Sequence, residues 1–162
     1  MRVTWGRHNE GHQVVNVTES IEIAAPIEQV WAVIADIENC AQHISGITAV
    51  KVLNKPVDGL VGLKWQETRL MFGKEATEVM WIVEATPNEH YLTNSASHGS
   101  LYSSRLSVQS QDDKTILTMT FKGEAQTFGA KIMSGAMGVF MKGTMQKCVR
   151  KDLEDIKRNI EG

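Results

Sequence analysis

Between Ile47 and Gly123 the chain divides into six strand-like stretches, and nearly every gap between them is a short turn signal. The stretches run over about 47–54, 61–71, 75–85, 90–97, 101–109 and 115–123. The gaps hold Asn54-Lys-Pro-Val-Asp-Gly59, Phe72-Gly-Lys74, Pro87-Asn-Glu89, His98-Gly-Ser100 and Gln111-Asp-Asp-Lys114. Most of these connections are too short for a crossover, so consecutive strands are expected to pair as antiparallel hairpins.

What flanks this run completes the fold. From Val14 to Ala24, residues Val15, Val17, Ile21 and Ile23 share one face, interrupted by Glu19, which predicts a half-buried strand. The segment Ala25–Asp36 then switches to helical spacing, with Val30, Trp31, Ile34 and Ile37 on one face. Pro26 suits the first turn of that helix, since its missing N–H would be unpaired there, and Glu28 suits the positive end. A short second helical turn is expected around Cys40–His43. The last segment, about Phe128 to Ile160, is helical in period throughout. Its glycines at 129, 135, 138 and 143 predict a loose, broken first half and a firm helix from about Thr144. The order predicts an α+β fold: a curved antiparallel sheet of about seven strands gripping the long C-terminal helix, with one or two short helices after the first strand. A gap between such a sheet and its helix is where a cavity forms.

That helix carries Met133, Met137, Met141 and Met145 in a four-residue step continued by Val149 and Leu153. The row reads either as the buried stripe of an amphipathic helix or as the adaptable wall of an apolar ligand's cavity. Four residues overshoot the helical repeat by about 40°, so the row spirals and cannot all face one wall. Val149 and Leu153 are therefore expected in the core, with Met133, Met137 and Met141 as a cavity lid and Met145 at the change.

Bulk properties narrow the class. At 162 residues the chain can bury a core without staples, and we expect a flexible leader at 1–13 followed by one domain over 14–162. A formal charge of −2 and the lack of a basic run argue against nucleic acid as a partner. No apolar stretch is long enough to span a bilayer. The polar start and the widely separated Cys40 and Cys148 predict a cytoplasmic protein with free thiols, monomeric or homodimeric.

Strand alternation places candidate site residues. In 61–71 the odd positions Val61, Leu63, Trp65, Glu67, Arg69 and Met71 carry the apolar set and are expected to face inward. A carboxylate facing inward needs a partner, and Arg69 is at hand. The pair reads as a structural salt bridge near the sheet edge, or as a site that orients a ligand oxygen, with Glu67 as general acid or base. In 101–109, Tyr102 and Ser104 are interior hydroxyls that either bond a ligand or satisfy neighbours. In 115–123, Leu117, Met119 and Phe121 form an apolar wall. The face of 75–85 stays open between Thr77, Val79, Trp81 and Val83 and the nearly as apolar Met80 and Ile82; that of 90–97 stays open too. His43 reads as a helix-end residue that lines an entrance at most, and His98 as a turn histidine. The mixed charges from Lys147 to Arg158 read as a solvated face. His43, His90 and His98 form no ligand set with Cys40, and no HExxH, GxSxG, P-loop or GxGxxG motif occurs, so neither metal nor cofactor is expected.

The stretch Ile21-Glu-Ile-Ala-Ala-Pro-Ile-Glu-Gln-Val-Trp-Ala-Val-Ile-Ala-Asp36 resembles the opening of the START-related helix-grip superfamily, SRPBCC. Gly62-Leu-Lys-Trp-Gln-Glu-Thr-Arg69, Glu84-Ala-Thr-Pro87 and Lys151-Asp-Leu-Glu are similar to its polyketide cyclase/dehydrase-like branch, over about 14–160. The resemblance implies a seven-stranded sheet around the C-terminal helix and a ligand cavity between them. Its members include lipid and sterol carriers, ubiquinone-binding proteins, aromatic cyclases and dehydratases, so the fold leaves the chemistry open. The leading expectation is a carrier or sensor for a small hydrophobic molecule (lipid, polyketide-like or quinone-like). The candidate ligand-binding residues are Trp65, Glu67, Arg69, Tyr102, Ser104, Leu117, Met119, Phe121, Met133, Met137 and Met141. The alternatives are a cyclase, dehydratase or hydrolase using Glu67, Arg69 and Tyr102, and a protein-interaction module.

Overall fold

The computed structural model describes residues 13–71, 73–97, 100–125 and 128–162, without the side chains of 13, 14, 125 and 128–141. Strand β1 (Gln13–Ile23) leads into helix α1 (Ile27–Ala35) and a 3₁₀ segment (Ile37–Gln42). Strands β2 (Ile47–Asn54), β3 (Lys64–Met71), β4 (Lys74–Thr86), β5 (His90–Ser97), β6 (Ser100–Gln111) and β7 (Lys114–Ala125) follow, and helix α2 (Phe128–Glu161) ends the chain. The sheet order is β1-β7-β6-β5-β4-β3-β2, antiparallel at every step. β1 and β2 thus stand at opposite edges, and α1 with the 3₁₀ segment carries the chain across the inner face between them. α2 lies on the same face against β1, β7 and α1. This is the expected helix-grip arrangement.

The inward set of each strand follows from burial. Val15, Val17 and Ile23 of β1 are buried, and the one charged residue on that face, Glu19, accepts hydrogen bonds from Gln146 (2.6 Å) and Arg150 (2.7 Å) on α2. Val30 and Ile34 of α1 meet Val149, Leu153 and Ile156 of α2 in one core with Trp65, Ile82, Leu106 and Leu117 of the sheet. Val149 and Leu153 are 2 % and 1 % exposed, as their place on the apolar row predicts.

β4 shows why its face could not be assigned from alternation. Ile82 is buried and Met80 packs on the core, so the even set points inward, while Val79 and Val83 are exposed. The register slips between Ile82 and Glu84, so Val83 is an extra residue and Ala85 takes the inward position beyond it. In β5 the inward set is Tyr91, Thr93 and Ser95, two of them polar, which hides the period.

Three expectations are corrected. β3 begins at Lys64 rather than 61, because Gly59 and Gly62 hold positive φ (68° and 91°) in a turn closed by Leu63 N–H to Leu60 carbonyl. Val61 consequently lies outside at 51 % exposure. Pro26 is the N-cap rather than part of the first turn, in extended conformation, and its carbonyl accepts from Gln29 and Val30. Finally, α2 is one unbroken helix of 34 residues, without the expected break. An isolated glycine costs a helix about 1 kcal/mol but leaves its hydrogen bonds intact, whereas proline, absent here, would remove one.

Candidate functional site

A cavity of ≈ 80 Å³ lies between the inner face of the sheet, α1, the 3₁₀ segment and the C-terminal half of α2. Its walls are mostly apolar: Ile34 and Ile37 on one side, Trp65, Met80, Leu106 and Met119 of the sheet on another, and Ile156 of α2 closing it. That volume suits a few waters or a chain end, about half the roughly 150 Å³ of a cavity that takes a benzene ring and well below the roughly 300 Å³ or more of a drug-sized pocket.

One end is strongly polar. Glu67 and Arg69, two apart on β3, both face inward and pair through Arg69 Nε and Glu67 Oε1 at 2.7 Å. Glu67 Oε2 also accepts from Trp65 Nε1 at 3.2 Å. The far side of the guanidinium meets α2: Nη2 donates to Asp152 Oδ2 at 2.7 Å and Nη1 to Asp152 Oδ1 at 3.3 Å. Glu67 and Asp152 are 7 % and 6 % exposed, and the half-buried Arg69 is the one cation serving both carboxylates. Burial alone would push the Arg69 guanidinium down, but Asp152 and Glu67 together hold it above its ordinary value. Burial raises the Asp152 carboxyl, and Arg69 does not fully offset it. The network ties the edge hairpin β2–β3 to the C-terminal helix.

Asp152 was not singled out in the sequence, and the reading of 147–158 as a solvated face is corrected there. Asp152 and Asp155 are each 6 % exposed. The signal was positional: Asp152 lies three after Val149 and four before Ile156, inside the stripe that Val149, Leu153 and Ile156 define. Asp155 holds the loop before β2, accepting from the Ser45 amide at 3.0 Å and Ser45 Oγ at 2.6 Å.

Other lining residues carry latent chemistry. Tyr91 is buried and donates to the Ile34 carbonyl at 3.0 Å, and burial raises its phenol well above its ordinary value. Burial, with the Glu67 charge, pushes the Cys40 thiol up to about 12, so it stays protonated and unreactive. Ser104 Oγ and His43 Nδ1 are buried without a hydrogen-bond partner.

Of the residues singled out in the sequence, Trp65, Glu67, Arg69, Ser104 and Met119 border this cavity, and His43 does too. Leu117 is fully buried in the core instead. Tyr102 and Phe121 stack on each other, ring centroids 5.9 Å apart. The Tyr102 ring crosses β7 at Gly123, where an added Cβ would meet it at 3.1 Å. The side chains of Met133, Met137 and Met141, the leader 1–12 and His98 lie outside the described residues. His90 pairs with Glu84 at 2.5 Å, away from the cavity. Among the described residues no cluster of His, Cys, Asp or Glu is arranged to hold a metal ion. No described helix is long and apolar enough to cross a membrane.

Solved structures share this architecture. A START superfamily protein from Mycobacterium smegmatis superposes with a TM-score of 0.75 at 17 % identity, over 90 % of this chain and 97 % of that one. The Zhui aromatase/cyclase from a Streptomyces species gives 0.75 at 17 %, over 90 % and 93 %. A protein from Thermus thermophilus, TTHA0849, gives 0.75 at 16 %, over 90 % and 97 %. At such identities the likeness speaks for the fold alone. No curated protein is similar enough in sequence to count as a relative. The family model for polyketide cyclase/dehydrase and lipid transport matches residues 14–161. A sheet closed over a C-terminal helix, a cavity between them and a sequence match over nearly the whole chain agree: this protein belongs to the polyketide cyclase/dehydrase and lipid transport family.

Proposed function

We propose that the protein binds a small hydrophobic molecule (lipid, polyketide-like or quinone-like) between sheet and α2, as a carrier or sensor in the cytosol. The observation that supports this reading is a cavity whose walls are mostly apolar, with a charged cluster fixed by the Glu67–Arg69–Asp152 network. At ≈ 80 Å³ the cavity takes a chain end, and a ring or larger ligand requires the walls to open. An acid/base role for Glu67 has less support, because both its oxygens are engaged, one by Arg69 and one by Trp65. The free cysteines and the formal charge of −2 fit a reducing compartment and a partner other than nucleic acid.

Native mass spectrometry of gently purified protein, followed by organic extraction, tests the reading. A discrete apolar adduct is expected, and Met80→Trp, which fills the cavity, should remove it. A protein that neither carries nor takes up any apolar molecule overturns the proposal.

A further inference from the structure

We infer that the cavity recognises a neutral, hydroxyl-bearing end of its apolar ligand, an alcohol or a phenol, through Ser104 Oγ and His43 Nδ1, and disfavours carboxylates. This deepens the binding reading above and rests on it. The obvious anchor for a ligand oxygen would be Arg69, but three of its five N–H groups already donate, Nε to Glu67 and one from each Nη to Asp152, and two carboxylates already offset its single charge. With Glu67 and Asp152 ionised the network carries one net negative charge, and with Asp152 protonated it is neutral. In neither state does it present a free cation. Bringing a carboxylate beside Glu67 and Asp152 adds like charge that only a proton taken up by His43 would neutralise.

The unmet polar capacity lies elsewhere on the same walls. Ser104, on β6, is 7 % exposed and its hydroxyl has no partner; His43, after the 3₁₀ segment, buries an unpartnered Nδ1. Both line the cavity. A buried polar atom without a partner forfeits the hydrogen bond it made to water, so it is a place where a ligand gains by binding. A hydroxyl both donates and accepts, so it can bond the serine or either tautomer of the imidazole, whereas a carboxylate, which only accepts, gains nothing from an Nδ1 that lacks its proton. The rest of the lining, with Trp65, Leu106 and Met119, suits an apolar ring or chain behind that hydroxyl.

The test uses three single-ring probes of matched shape against the full chain, 4-methylphenol, p-xylene and 4-methylbenzoate, titrated by heteronuclear NMR. We expect 4-methylphenol to bind about five- to tenfold more tightly than p-xylene, as one or two buried hydrogen bonds allow. The benzoate should bind weakest. Ser104→Ala, which removes a hydroxyl with no partner to lose, should leave thermal stability intact and abolish the phenol's advantage while p-xylene binds as before. His43→Phe should reduce the same advantage. If p-xylene binds as tightly as 4-methylphenol, or if 4-methylbenzoate binds best, the inference is overturned while the binding function stands. If none of the three binds while native mass spectrometry still shows an apolar adduct, the inference is overturned and the binding function stands; with no adduct either, both fall.

Discussion

Asp152 and Asp155 lie three residues apart on α2 and are equally buried, at 6 % exposure, yet their carboxyls are displaced in opposite directions. Asp152 faces the interior, where burial raises it and the one cation in reach, Arg69, is shared with Glu67. Asp155 faces the rim. Burial pushes it up as well, but bonds from Ser45 Oγ, Lys151 and the Ser45 amide outweigh that and hold it at about 2. Arg158 adds a contact at 3.3 Å. Equal exposure hides two differences: Asp152 lies deep, where desolvation dominates, while Asp155 lies near the surface with more donors committed to it. Asp155 is therefore an anchor that fixes the loop carrying His43, and Asp152 is the less favourably held member of the cavity's polar end.

The comparison breaks first at Arg69. Arg69→Met leaves two buried carboxylates with no cation between them, and should cost about 3–5 kcal/mol in urea unfolding at pH 7; a loss under about 1 kcal/mol would mean the network is dispensable. Asp155→Asn comes next, at about 1–3 kcal/mol, since the Ser45 donors keep a weaker acceptor and Lys151 loses its charge partner. The sign follows from the depressed carboxyl: Asp155 stabilises the fold above the ordinary aspartate value near 4, and that contribution is lost as pH falls toward about 2. The variant should thus lie closest to the wild type at the acid end. The smallest effect belongs to Asp152→Asn, under about 1.5 kcal/mol at pH 7, because Arg69 keeps Glu67 and the amide oxygen still accepts. Here the sign reverses. A raised carboxyl takes up its proton more readily when folded, so in the wild type Asp152 offsets part of the acid destabilisation, and the variant should lose stability more steeply between pH 7 and 4. Parallel pH profiles for the two aspartate variants would contradict the contrast.

Particular residues show how much of this was legible in the chain. Alternation identified Glu67, Arg69 and Ser104 as inward, because β3 and β6 keep a strict period of two with one apolar face. It stalled in β4, where a bulge at Val83 inverts the pattern midway, and in β5, where Thr93 and Ser95 fill inward positions. Asp152 escaped notice for a different reason. On a helix whose described charges, Asp155 apart, mostly face water, an acidic residue within the apolar stripe declares itself only through its neighbours there. The glycines of α2 suggested a break because propensity is a local quantity, and the continuous helix is a reminder that local cost need not interrupt hydrogen bonding.

By itself the sequence determined the element order, the antiparallel hairpins and the helix that the sheet grips, since turn chemistry and hydrophobic period are local properties of the chain. It also determined the pairing of Glu67 with Arg69, two residues apart on one strand face. Only the tertiary structure decided that Asp152, on a helix 83 residues further along, completes that pair, that Asp155 holds Ser45, and that Ser104 and His43 are left with unused hydrogen-bonding atoms in one cavity. Those facts depend on which side chains meet across elements distant in sequence, and no local pattern encodes that meeting.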